Sequence, residues 1–290
     1  MTAIDTGLQG LKREHPEWEP WLAGIQEVLA ESANLEWDSA VPAPIGAQPS
    51  KAPLLAGATL VFAADPVRRF LERLMRIACH SGTAKMATLE PALRAELDVF
   101  ELFKASLHRD RERIKEIAAG IGADAAAFQA VIDLLPLPFL QACYRRWASS
   151  IPESWMEGYC PACGSWPAFA EVRGIERSRY LRCGRCGAAW QAHCLFCPYC
   201  GITDHEQLVS LVPEKSGSNS VIEACKHCLG YVKSFTRLQG SPPAKVLLDD
   251  LASAHLDVAA VEEGYKRPQG AGYALAVNVI ENGVTGSLLA

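Results

Sequence analysis

Four Cys-x-x-Cys pairs lie between Tyr159 and Gly230: Cys160/Cys163, Cys183/Cys186, Cys197/Cys200 and Cys225/Cys228. Two thiolates three positions apart on a tight turn can hold one metal ion, and a second such turn can complete a tetrahedron around it. Nineteen residues separate the first two pairs, which is within the zinc-ribbon range, and twenty-four separate the last two. Four pairs therefore predict two sites. A shift of 37 positions superimposes Cys160/Cys163 on Cys197/Cys200, and a shift of 42 superimposes Cys183/Cys186 on Cys225/Cys228. The segment reads as a tandem repeat with a five-residue insertion, so each site is expected to use consecutive pairs and not cross-braced ones.

The pairs carry turn chemistry as well. Cys160-Pro161-Ala162-Cys163-Gly164 and Cys197-Pro198-Tyr199-Cys200-Gly201 repeat one pattern, in which Pro presets a backbone angle and Gly permits positive φ, turning backbone N–H groups toward sulfur. Cys183-Gly184-Arg185-Cys186-Gly187 is similar, whereas after Cys225-Lys226-His227-Cys228 the glycine, Gly230, comes one residue late. A tetrahedral all-sulfur site suits zinc or iron, and geometry alone does not separate them. Cys194 completes Cys194-x-x-Cys197-x-x-Cys200, which imitates part of an iron–sulfur run. The fourth cysteine and following proline of that run are missing, so Cys194 reads as a spare thiol. His193, His205 and His227 lie close in sequence, but eight thiolates already fill two sites and leave the histidines outside them.

The chain of 290 residues is long enough for two or more domains, and 49% apolar composition is ordinary for a globular protein. The first eighteen residues have no apolar core of a secretory signal, and the nearly apolar run 56–64 is too short to cross a bilayer. A cytoplasmic protein without membrane insertion is expected, in which eleven cysteines serve as metal ligands more readily than as disulfides. A net charge of −5 argues against nucleic acid or anionic membrane as a partner. Within 151–240 nine Lys/Arg face eight Asp/Glu, so Arg173, Arg177, Arg179, Arg182 and Arg185 read as the solvated face of a hairpin.

The elements that position these cysteines follow from periodicity. Trp18, Trp21, Leu22, Ile25, Val28 and Leu29 recur at helical spacing, giving an amphipathic first helix. Residues 41–53 hold four prolines and read as an extended surface linker. Asp65-Pro66 predicts a helix start, with Val67, Phe70, Leu71, Leu74 and Ile77 facing inward to about Gly82. Thr88 and Asp124 are candidate caps of two further helices, 89–119 is long enough to be one helix, and Pro136 and Pro138 precede a last one through Trp147. After Ser149 the hydrophobic period shortens and Gly, Pro, Cys and aromatics take over, with Trp166, Phe169, Tyr180 and Trp190 placed to cover the first site. Modules of this size bury too little surface to fold unaided, which makes a metal the folding element.

The expected class is α+β. A helical domain (1–150) precedes two rubredoxin-like or zinc-ribbon modules (151–192 and 193–240), and a helix and tail follow (241–290). Other candidates for chemistry fail on geometry. Adjacent Cys79 and His80 on a helix point about 100° apart. Asp250 and Asp257, on one helix, would lie roughly 10 Å apart and face solvent. No phosphate-binding glycine loop or Ser/His/Asp arrangement stands out, and nothing requires an enzyme.

Three strings resemble the formate dehydrogenase accessory proteins of the FdhE family. They are Tyr159-Cys160-Pro161-x-Cys163-Gly164-Ser165-x-Pro167, Arg179-Tyr180-Leu181-x-Cys183-x-x-Cys186 running to Trp190, and Asp249-Asp250-Leu251-Ala252-Ser253 continuing through Leu256-Asp257 to Glu263-Gly264-Tyr265. The resemblance implies a cytoplasmic, non-enzymatic factor that binds the catalytic subunit of respiratory formate dehydrogenase and carries rubredoxin-like iron, two per chain, with zinc as a substitute. Cys160, Cys163, Cys183 and Cys186 would hold the first iron, and Cys197, Cys200, Cys225 and Cys228 the second. Residues 271–290, apolar and partly alternating, have no counterpart in that pattern. A rubredoxin-like electron carrier is the alternative, although a carrier has little use for 150 helical residues; a zinc-ribbon nucleic-acid binder is disfavoured by charge.

Overall fold

The computed structural model describes residues 3–44, 51–212 and 219–282. Helices and sheets are both present, in an α+β arrangement, and the chain forms two compact units. One is drawn from Met1–Ala43, Gly57–Cys143 and Ala276–Ala290, the other from Pro44–Ala56 and Tyr144–Leu275. Both cysteine-rich modules lie in the second unit, together with the segment that follows them.

The first unit is helical because its apolar residues recur every three to four positions. It contains α1 (Ala3–Glu14), α2 (Glu19–Ser32), β1 (Thr59–Phe62), α3 (Ala64–Cys79), α4 (Ala84–Ala87), α5 (Val99–His108), α6 (Arg111–Gly120) and α7 (Ala125–Ile132). Helix α8 (Leu137–Trp147) carries the chain across the division between the units. Leu22, Ile25, Val28 and Leu29 of α2 are buried, as are Val67, Phe70, Leu71 and Leu74 of α3. Phe62 packs edge-on between Phe103 and Phe139, at 4.9 and 5.0 Å.

Several local expectations change. Helix α1 precedes the helix expected to be first and buries Leu8 and Leu11. The stretch 89–119 is not one helix: Asp98 caps α5, Arg109 closes it in the left-handed region at φ 59°, and Asp110 caps α6. Two capping aspartates twelve residues apart were the overlooked signal. Thr83, not Thr88, caps α4, whereas Asp124 does cap α7. Ala63, with no capping side chain, precedes α3, which ends at Cys79. Ala52 and Leu55 are buried where a surface linker was expected, and Leu54 and Leu55 donate backbone hydrogen bonds to Pro161 and Ala162 of the first cysteine turn. Residues 45–50 of that linker lie outside the described residues.

One longer apolar run escaped the sequence reading. The helical stretch Ala125–Ser150 is long and apolar enough to cross a membrane by length and composition, but 67% of its apolar window is buried within the protein. It reads as core. The tail also gains a place: β8 (Asn278–Glu281) pairs in parallel with β1, Thr59 opposite Asn278. Residues 283–290 lie outside the described residues.

The second unit is built on one six-stranded sheet, ordered β4-β3-β2-β7-β6-β5. The first module supplies β2 (Phe169–Arg173), β3 (Ser178–Arg182) and β4 (Ala189–Gln191). The second supplies β5 (Leu208–Leu211), β6 (Ser220–Cys225) and β7 (Tyr231–Arg237). The modules therefore do more than sit side by side, because β2 and β7 pair in parallel with Phe169 opposite Lys233. Two helices, α9 (Val246–Ala252) and α10 (Ala254–Glu262), follow the sheet where one helix was expected. Val246 packs on Ala168 and Phe169, while Leu256 and Ala260 pack on Ile222, Ala224 and Tyr231.

Candidate metal centres

The four cysteine turns share one backbone pattern. The N–H of the leading cysteine donates to the carbonyl five residues on: Cys160 to Ser165, Cys183 to Ala188, Cys197 to Ile202 and Cys225 to Gly230, at 2.9 to 3.0 Å. The position after the trailing cysteine has positive φ in every case, at Gly164, Gly187, Gly201 and, in the fourth turn, Leu229 at φ 57°. A non-glycine residue there costs roughly 1–2 kcal/mol. The late glycine answers a different need. A Cβ on Gly230 would stand 2.5 Å from the Tyr199 ring, so Gly230 is required for close approach and not for its φ.

These turns bring the eight thiols into two groups, Cys160, Cys163, Cys183 and Cys186 in one and Cys197, Cys200, Cys225 and Cys228 in the other. Within each group all sulfurs lie within 4.8 Å of one another. In the first, Cys160 Sγ is 3.4 Å from Cys186 Sγ and Cys163 Sγ is 3.5 Å from Cys183 Sγ; in the second, Cys197 to Cys228 is 3.6 Å and Cys200 to Cys225 is 3.8 Å. A tetrahedron with metal–sulfur bonds of about 2.3 Å has sulfur–sulfur edges of about 3.8 Å. Both groups could hold a metal ion without large rearrangement, and soft sulfur donors fit zinc or iron and not magnesium or calcium.

The electrostatics agree with that fit. Burial pushes the Cys160 and Cys186 thiols well above the ordinary range, while hydrogen bonds from neighbouring thiols pull Cys163 down. Four sulfurs at 0 to 2% exposure cannot all ionise together without a cation among them. In the second group burial raises Cys197 and pushes Cys228 up to about 11. For Cys225 burial also raises the value, but the Cys228 and His227 backbone N–H groups outweigh it and leave the thiol below its usual range. The second group is open to solvent on one side, with Cys200 exposed and Cys228 half-buried.

None of His193, His205 and His227 joins either thiol group. Cys194 is exposed and lines a cleft of about 150 Å³ together with Cys197 and Cys225. Cys194→Ser is therefore expected to leave metal content unchanged; a loss of one equivalent in elemental analysis would contradict the assignment of the second group. Cys79 is partly exposed, and His80 turns its Nδ1 to the Arg76 carbonyl at 2.6 Å, so the two form no nucleophile–base pair.

Of the aromatics expected over the first site, Phe169 and Trp190 are buried, and Trp190 Nε1 donates to the Glu157 carbonyl at 2.9 Å. Tyr180 lies under the Arg173 guanidinium at 4.1 Å, and Trp166 meets Tyr199 edge-on at 5.3 Å.

Of the five arginines expected on a solvated hairpin face, Arg177 is exposed on the turn, but Arg173, Arg179 and Arg182 are engaged in ion pairs within the sheet. Arg179 and Arg182 are 3% and 1% exposed. Arg182 and Arg173 both donate to Glu171, at 2.8 and 2.6 Å, and Arg179 donates to Glu223 and to the His193 carbonyl. Asp250 and Asp257 are likewise not a solvated pair. The helix breaks at Ser253, whose Oγ donates to the Asp249 and Asp250 carbonyls, and the two carboxylates converge on the buried Lys233 Nζ at 2.7 and 2.8 Å. Arg267 bridges the same two carboxylates at 2.8 Å, and Tyr231 donates its hydroxyl to Asp257. Asp249 accepts from Arg237, Lys245 and Ser241. Lys233, a charge directly after Tyr231-Val232 in the strand Tyr231–Arg237, was the sequence signal for this network.

Burial opposes ionisation of Glu171, Asp249 and Asp250, but their cationic and N–H or O–H partners win and hold all three below the usual carboxylate range. Their contribution to stability is full above the unfolded carboxyl value of about 4 and is lost as pH falls through the lower folded values. Thermal melts between about pH 6 and pH 2 should show a falling Tm below about pH 4. Metal content must be followed in parallel, because thiolate protonation acts in the same direction. A flat Tm at constant metal content would contradict this.

Comparison with known proteins bears on the same region. The family model for the FdhE C-terminal domain matches residues 194–273. An FdhE homologue of Pseudomonas aeruginosa is 34% identical over 153 residues, 47% of this chain and 49% of that protein. One of Aquifex aeolicus is 26% identical over 206 residues, 69% of this chain and 68% of that protein. The Escherichia coli protein FdhE is 32% identical over 111 residues, 38% of this chain and 35% of its own length. The chain thus spans about half the length or less of several curated relatives that it matches. The crystal structure of the FdhE protein from Pseudomonas aeruginosa has the same fold, with a TM-score of 0.57 and 24% identity over 93% of this chain and 94% of that one.

Proposed function

We propose, since the chain belongs to the FdhE family, that it is an accessory factor for formate dehydrogenase and not itself an enzyme. The observation that carries this reading is the pairing of two four-thiol groups on one sheet, the second of them within the residues 194–273 that match the family model. Cys160, Cys163, Cys183 and Cys186 hold one metal, and Cys197, Cys200, Cys225 and Cys228 the other, each supplying a rigid tetrahedral crosslink between two turns. Iron is the resident metal and zinc its substitute. The catalytic subunit of formate dehydrogenase, met in the cytoplasm, is the client.

The client-binding surface is placed on the second unit. Metal-crosslinked hairpins present backbone and side chains with little left to order on binding. The signature residues Asp249, Asp250, Ser253 and Asp257 are spent on internal hydrogen bonds. They shape the surface and do not touch the client. Val258 and Val261, 57% and 61% exposed on the outer side of α10, are available to it. The test is capture of the tagged chain from cells grown without oxygen. Co-purification of the catalytic subunit and a red, thiolate–iron absorption are expected. Protein that holds only zinc would refute iron, and failure to retain the catalytic subunit would refute the client. An electron carrier would instead exchange electrons reversibly with no stable client.

A further inference from the structure

The two thiol groups differ in their access to solvent and in what is tied to them. Every sulfur of the first is buried, whereas the second exposes Cys200 and half-exposes Cys228. A chelator or competing thiol reaches a metal by displacing one sulfur at a time, so an exposed ligand is an opening for exchange. Tyr199, between Cys197 and Cys200, lies against Gly230 at the end of the fourth turn and donates its hydroxyl to the Tyr231 carbonyl at 2.8 Å. Tyr231 in turn donates to Asp257 on α10 at 2.7 Å, and the Arg267 guanidinium lies 5.7 Å over its ring. The Leu229 carbonyl, within the same turn, accepts from the Lys266 N–H at 2.8 Å.

The first turn of α10, through Asp257, and the strand-like segment after the helix, through Lys266, are therefore fastened to both turns of the second group. The start of α9 is fastened elsewhere, by Val246 on Ala168 and Phe169 and by Pro243 against Gly187 of the first group. We infer that the second thiol group is the exchangeable metal site and that its occupancy controls the docking of residues 254–267 on the sheet, while the first site and α9 stay in place. This rests on the reading that both groups hold metal. When the second metal leaves, Tyr199 and Leu229 lose their fixed positions. Local opening then uncovers Ile222, Ala224 and Tyr231, the apolar face beneath α10. The chain would thus report metal supply to its partners by exposing or covering one face.

The test uses the full metal-loaded chain, a limiting amount of a chelator such as EDTA, native mass spectrometry to count metals, alkylation to identify freed cysteines, and hydrogen exchange by peptide. The first equivalent should leave at least ten times faster than the second and expose Cys197, Cys200, Cys225 and Cys228 to alkylation. Exchange in 254–267 should rise at least ten-fold with that first loss, while 160–190 remains protected until the second. Simultaneous loss, prior loss from the first group, or an unchanged 254–267 after the second site empties would each overturn the inference. Tyr199→Phe keeps the ring and all eight thiols but removes the link to Tyr231. It should hold two metals and yet raise exchange in 254–267 at least three-fold; exchange at the wild-type rate would overturn the link. A starting protein with fewer than two metals would fail the underlying two-site reading, which the metal count reveals before any chelator is added.

Discussion

Replacing Cys183 and Cys186 together by serine is expected to remove one of the two proposed metals and to unfold the half-sheet β2 to β4. Serine hydroxyls do not replace thiolates as ligands for a soft metal, and the two remaining sulfurs, Cys160 and Cys163, make half a site. Metal binding in small thiolate sites is worth about 10–16 kcal/mol, as large as the whole stability of an ordinary domain. Little else offsets the loss, because the strands are only three to five residues long. Strand β2 also carries Phe169 and Glu171, so the loss extends through its parallel pairing to β7. Hydrogen exchange should rise by orders of magnitude across 160–190, and capture of the formate dehydrogenase catalytic subunit should fall to background. Residues 57–143 belong to the other compact unit, together with 1–43 and 276–290, and should keep their protection. A double mutant that captures the client at wild-type strength would remove the first module from the binding surface.

Glu171→Gln is expected to lower stability by about 3 kcal/mol, the lower end of the range for breaking a buried ion pair. Glu171 is fully buried and accepts from Arg173, Arg182 and the Ser241 N–H, with Arg237 Nη1 at 3.6 Å. The amide retains shape and one acceptor oxygen but leaves Arg182, 1% exposed, without its counter-charge. For a unit of this size the fall in Tm is roughly 6–12 °C. Glu176→Gln, on the exposed turn of the same hairpin, should stay within about 0.5 kcal/mol. Equal melting curves for both variants would show that the arginines around Glu171 are solvated after all.

Legibility in the sequence followed the range of the interactions. Spacing of three between cysteines and the 37- and 42-residue shifts disclosed two groups of four, because each turn is local and the repeat is visible in one dimension. Helical periodicity likewise located α2 and α3. The parallel pairing of β2 with β7 was not legible, since strands sixty residues apart meet only through tertiary packing. The charged residues misled for the same reason. Arg179, Arg182, Asp250 and Asp257 look solvated when read alone, and only folded pairing with Glu223, Glu171, Lys233 and Arg267, ten to forty-four residues away, offsets the cost of burying them. Pairing of β8 with β1, Thr59 opposite Asn278, is another long-range contact that no local pattern announces.

The most direct test of the whole account is native mass spectrometry with elemental analysis on chain purified without oxygen, repeated after Cys160→Ser and after Cys197→Ser. Two metals per wild-type chain and one in each variant are expected, with the surviving metal protecting the four cysteines of the untouched group from alkylation. A wild-type chain that binds a single metal, or a Cys197→Ser variant that exposes Cys160, Cys163, Cys183 and Cys186, would contradict it.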